Sequence, residues 1–191
     1  MPPAPPAPCP GCGALFPPSD GPTHRYIGAS AGCWALFAPR SVGEAPDPAL
    51  LAASRVPEAP SAARPAPFPP APALATLVAD AYAAQHHGDD SPPAVQSVAV
   101  HLLVLHGVAR RGVAPARAQW VRTRALRTRG VFAKLAPPPV GAALTLRHLY
   151  PGGGVTTPAA PADYAASVLA AWEGAHAATL RAWYDRHVVA D

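Results

Sequence analysis

The apolar residues of this chain fall into blocks whose spacing changes along its length. From Ala73 onward, Leu74, Leu77, Val78, Ala81 and Tyr82 recur at intervals of three and four, which predicts an amphipathic helix ending near Gln85. The turn HHGDDSPP stops it, with Gly88 after the last turn and Ser91 as N-cap ahead of Pro92 and Pro93. The next run, PAVQSVAVHLLVLHGVARRG, is apolar on nearly all sides, as expected of the buried centre of a bundle. A basic helix is predicted over Ala116 to Arg129, followed by a proline-rich turn and a short extended piece, AALTLRHLY. The last predicted helix runs from Pro161 to Val188, with Tyr164, Val168, Leu169, Trp172, His176, Leu180, Trp183 and Tyr184 on one broad stripe. The pattern predicts a mainly α protein, a small helical bundle without internal repeats.

The first third of the chain follows no such period. Residues 1–8 read as a disordered lead, and residues 9–38 as a compact, glycine-punctuated segment ending in the apolar CWALF. Ten prolines between Pro39 and Pro72 exclude a long helix there, so residues 39–72 read as an extended Pro/Ala-rich linker. Residues 73–191 form the helical domain, against which the N-terminal segment is expected to pack.

Charge is sparse, 14% of residues against roughly 25% in ordinary soluble domains. Its placement matters more than its net value of +4. Ser91 to Ala162 contains nine cations and no acid, while the remainder holds six cations and eleven acids, giving +9 in the middle against −5 elsewhere. Such a block neutralises phosphates or meets the protein's own acidic parts. Within it, Arg117 to Arg129 could lie along nucleic acid with Trp120 stacking on a base, but Arg122, Arg127 and Arg129 spread round a helix instead of sharing a face. A solvated surface is the simpler reading, and the expected partner is an unknown protein or small molecule.

The start MPPAPPAP has neither a basic stretch nor an apolar run, and Val95 to Val108 reads as too short to span a bilayer. A cytoplasmic protein with no membrane partner is the expectation. In that compartment thiols stay reduced, so the three cysteines point to metal or catalysis and not to disulfides.

Two of those cysteines sit in CPGCG. A C-x2-C pair offers two zinc ligands from one tight turn, with Pro10 and Gly11 between Cys9 and Cys12. Cys33 supplies a third. His24 is the nearest histidine and completes C-x2-C-x11-H-x8-C, a Cys3His zinc knuckle; His86 or His87 replaces it if the knuckle packs on the first long helix. A dithiol redox centre would need its C-x-x-C at a helix start behind a strand, and no strand is predicted before Cys9.

The second constellation is DAYAAQHH, where Tyr82 and His86 stand at i and i+4. His101 lies across the turn in the apolar helix, where a buried imidazole needs a partner such as Asp80, Gln85 or Gln96. Asp80, Tyr82, Gln85, His86, Gln96 and His101 are therefore a candidate polar pocket, the alternative being a satisfied core histidine beside a polar helix end.

The stretches CPGCGALFPPSDGPTHRYIGASAGCWALF and VADAYAAQHHGDDSPPAVQSVAVHL, with FAKLAPPPVGAALTLRHLY and WEGAHAATLRAWYDRH, resemble an uncharacterised family of small bacterial proteins known only as a domain of unknown function. The resemblance implies that Cys9, Cys12, Asp20, Gly21, His24, Cys33 and Trp34, together with Asp80, Tyr82, Gln85, His86, Gln96 and His101, belong to a site, and it implies no activity. Similar proteins tend to continue after GCW as a helix and to carry proline where this chain has His87; here the proline-rich region is expected to replace that helix. Two functions follow: a non-catalytic, zinc-stabilised binding protein with no catalytic residues, or a small metal-dependent enzyme using the His/Asp/Gln pocket.

Overall fold

The structure, a computed structural model, describes residues 4–41, 46–56, 72–127, 132–139, 141–150 and 159–190. It is mainly helical. Among the described residues six α-helices follow a two-residue hairpin: β1 Ala7–Pro8, β2 Leu15–Phe16, α1 Ala31–Ser41, α2 Pro48–Ala53, α3 Pro72–Gln85, α4 Pro92–Arg110, α5 Ala118–Arg127 and α6 Pro161–Tyr184, the last continued by one π turn, Asp185–Val189.

The long helices start and stop for local reasons. Ser91 stands at the N-cap of α4 with Pro92 and Pro93 behind it, where the missing N–H groups cost nothing. At its far end Gly112 takes a φ of 68° as the chain turns away. By length and composition α4 could cross a membrane, which corrects the sequence reading that its apolar run is too short, but half of its apolar window is covered by the rest of the protein.

The core is built from both stripes the periodicity picked out. Leu77, Val78, Ala81 and Tyr82 of α3 meet Leu102 and Leu105 of α4 and Tyr164, Val168, Leu169 and Trp172 of α6 in one buried cluster. A second cluster joins the other side of α4, through Ala99, Val100, Leu103 and Val104, to Ala118, Val121 and Ala125 of α5 and to Tyr184 and Val188. A fully buried leucine or valine contributes roughly 1.5–3 kcal/mol; α4, apolar on both sides, therefore holds two layers together.

Three expectations change. The lead is paired at its end, since Ala7 and Pro8 form an antiparallel ladder with Phe16 and Leu15. The GCW stretch does continue as a helix, α1, and α2 follows inside the region read as linker, capped by the Asp47 side chain accepting from the Ala49 N–H. Residues 57–71 of that region, and Thr128 and Arg129 of the basic helix, lie outside the described residues. AALTLRHLY is not extended: Leu146–Leu149 is a buried 3-10 turn. Arg147 and His148 are both buried. His148 Nδ1 accepts the Thr145 N–H at 2.9 Å, and Arg147 bonds Ser54 Oγ and the carbonyls of Leu51 and Tyr150 at 2.7–2.9 Å. This arginine ties α2 to the bundle.

Candidate metal centre

The hairpin turn, the start of α1 and the end of α3 converge on one point. Cys9, Cys12, Cys33 and His86 each bring a ligand atom there, all within 4.8 Å of one another. Cys33 Sγ lies 3.9 Å from Cys12 Sγ and 3.3 Å from His86 Nε2. A tetrahedron with metal–sulfur bonds of about 2.3 Å and a metal–nitrogen bond of about 2.0 Å has edges of roughly 3.5–3.8 Å. The two Cys33 separations lie close to those edges, and the group as a whole is compatible with a metal ion.

Local sequence explains each position. Gly13, with a φ of 73°, lets the turn close so that its N–H reaches the Cys9 carbonyl at 2.8 Å. Gly11 is needed by proximity: a Cβ there would sit 2.5 Å from His86 Cδ2. Ser30 caps α1 by accepting the Cys33 N–H on its Oγ, and its own N–H donates to Cys9 Sγ at 3.4 Å. Tyr82, stacked on Phe37 at 4.0 Å and tilted on His86 at 4.1 Å, sends its hydroxyl to Cys33 Sγ at 3.6 Å. The Gly28 N–H donates to the His86 carbonyl at 2.8 Å, and Ile27 bridges His87, so backbone bonds hold the N-terminal segment on the end of α3.

The imidazole is oriented for ligation. His86 Nδ1 is 2.9 Å from the Tyr82 carbonyl, so Nδ1–H donates there and the lone pair of Nε2 faces the sulfurs. The cysteines respond to one another. Contacts from Cys12 and Cys33 hold the Cys9 thiol far below its usual range, while contacts from Cys12 and Cys9, with burial, push Cys33 far up. Cys12 is drawn down by Cys33, but Cys9 and burial outweigh this and push it up to about 12. A bound dication would deprotonate all three, which is the chemistry this donor set suits.

The fourth residue is His86, where the sequence favoured His24. His24 is exposed; its Nδ1 accepts the Tyr26 N–H at 3.2 Å in its own turn, and its ring packs on Trp34. His87 points elsewhere, edge-on to Trp172, with burial and then His86 lowering its pKa. Nor do the six pocket residues share one pocket. Tyr82 and His86 join the cysteines. Gln85 accepts the Tyr164 hydroxyl at 2.8 Å and donates to the Leu144 carbonyl at 2.9 Å. Gln96 exchanges two bonds of 2.9 Å with the backbone of Phe132. Asp80 pairs with His101 at 2.7 Å and with Arg122, on another side of α3. His101 is not fully enclosed, its side chain being 21% exposed, because α5 covers it only in part. Sequence reasoning missed Ser30, Arg122 and Tyr164; a serine three residues before Cys33 is a cap signal that could have found the first.

A fold of helices with a largely buried Cys3His group defines a small helical protein that could hold a metal ion. The family of unknown function DUF5946 matches residues 61–173, and the chain belongs to that family. The match takes in His86 and the Asp80–His101 pair and leaves out the three cysteines. No curated protein and no solved structure matches the chain.

Proposed function

We propose that Cys9, Cys12, Cys33 and His86 bind one structural zinc ion, which fastens the N-terminal segment to the helical bundle of a non-catalytic, cytoplasmic binding protein. The observation that carries this reading is the complete set of four protein donors: a structural zinc site fills its shell, whereas a catalytic one keeps a position for water. Burial of Cys9, Cys33 and His86, and the bond orienting His86, support it. The enzyme reading draws on Asp80, Gln85, Gln96 and His101, which are engaged away from the cluster. The partner is a protein or small molecule more readily than nucleic acid, since much of the basic block faces the chain's own acids: Arg110 on Glu173, Arg111 on Asp185, Arg122 on Asp80 and Lys134 on Asp90. Elemental analysis of the purified protein tests the proposal. About one zinc per chain is expected, lost in Cys12→Ser; metal-free wild-type protein with undiminished thermal stability would refute it.

A further inference from the structure

We propose that a cleft of about 310 Å³ between α4 and α5 binds a small carboxylate carrying a short hydrocarbon tail, with His101 and Arg122 holding the charged end. The site is separate from the metal centre and does not rest on the zinc reading. Its polar end is built on a buried carboxylate. Asp80 is fully enclosed, and its Oδ1 accepts from both His101 Nδ1–H, at 2.7 Å, and Arg122 Nη2. That bond occupies Nδ1–H and leaves Nε2 on the opposite edge of the ring, where the side chain is partly exposed at the cleft; the imidazolium form of the ring donates from that edge to an anion.

Arg122 is equally underused. Nη2 serves Asp80 and Nη1 donates to Gln119 Oε1 at 2.7 Å, so three of its five N–H groups have no partner among the described residues. Asp80 Oδ2 is buried with no partner among the described residues. The carboxylate behind His101 and Arg122 offsets part of their mutual repulsion, so both can face one ligand anion.

The other end of the cleft is apolar. Val100 and Pro93 form one wall and Leu126, 61% exposed, stands opposite without a covering group among the described residues. The volume lies at the small end of ligand pockets, roughly 300–1,000 Å³, which suits a short acid and excludes a large cofactor. Ser97, exposed at the cleft, adds a hydroxyl.

Hexanoate, hexanol and acetate separate the two ends. In zinc-replete full-length protein, hexanoate is expected to shift the His101 imidazole ¹⁵N resonances saturably, with hexanol and acetate at least about tenfold weaker. Leu126→Glu sets a like charge against the ligand at an exposed position, and should weaken hexanoate by about tenfold or more with thermal unfolding unchanged. No saturable shift, equal binding of hexanol or of acetate, or unchanged binding in Leu126→Glu would each overturn the proposal.

Discussion

Tyr82 lies in the last turn of α3 and His86 directly follows that helix, and the bond between His86 Nδ1 and the Tyr82 carbonyl, 2.9 Å long, aims His86 Nε2 at Cys33 Sγ. The helix itself therefore acts as the outer shell of the cluster, and the lone pair is set before any ion arrives. Replacing the ring should cost more than losing an outer-shell partner, which lowers metal affinity by roughly 10–100-fold. We expect His86→Ala to bind zinc at least about a hundredfold more weakly, read by competition with a chromophoric chelator. His24→Ala, on an exposed ring, should bind like the wild type.

Removing the metal should loosen one part of the molecule. The N-terminal segment is held by the cluster, a few backbone bonds and the packing of Phe16, Leu36 and Phe37, whereas α4 joins both buried layers of the bundle. Because metal binding is folding free energy for the segment that supplies the ligands, chelation should speed amide exchange across residues 9–37. Exchange in the middle of α4 should hardly change. Uniform loosening of the whole chain would contradict this division.

Gln85 offers a test of the bundle without the metal. Its amide joins the fully buried Tyr164 hydroxyl to the Leu144 carbonyl. Gln85→Leu strands both groups, each at about 1–3 kcal/mol. A loss of about 2–4 kcal/mol in chemical denaturation is expected, with zinc stoichiometry unchanged.

Stability should also fall in mild acid. Burial, the largest cause, lowers the pKa of His106 and of His148 from 6.5. Their unfolded forms take up protons first, so the native state is favoured fully above 6.5 and progressively less as pH falls from there toward the lowered native values. His106 has no hydrogen bond on either ring nitrogen among the described residues; it packs on Tyr184 at 5.3 Å, and Glu173 Oε1, 3.5 Å from Nδ1, offsets only part of the effect of burial. His106→Phe should therefore keep or raise stability at pH 7.5 and reduce the loss between pH 7 and about 5, measured by denaturant midpoint. An unchanged acid slope would remove His106 from the account.

Much of this architecture can be read along the chain, because α3, α4 and α6 bury stripes whose period survives in the sequence. The three cysteines declare themselves by spacing. Their fourth companion does not: Cys33 and His86 meet across 53 positions, and only the packing of the hairpin on α3 brings them together. His24 is closer in sequence and was preferred for that reason alone. The grouping of Asp80, Tyr82, Gln85 and His86 holds only for Tyr82 and His86, which meet at Cys33; neighbours on a helix face different directions, so Asp80 pairs with His101 and Gln85 with Tyr164. The turn at Leu146 was hidden because buried Arg147 and His148 look like surface residues until Ser54 and Thr145 are in view.

The meeting of Cys33 and His86 also closes a ring in the chain, with α2 and the proline-rich residues before α3 inside it. The entropy of closing such a ring grows only with the logarithm of its length, about 0.6 kcal/mol for each doubling. That is less than one buried hydrogen bond, about 1 kcal/mol. Residues can accordingly be added to or removed from residues 57–71 with little effect on how firmly the ring is shut, while a one-residue shift near Cys12 or His86 moves a donor atom out of its shell. Selection on this protein should therefore tolerate changes of length in the interior of the ring and resist them at its junction.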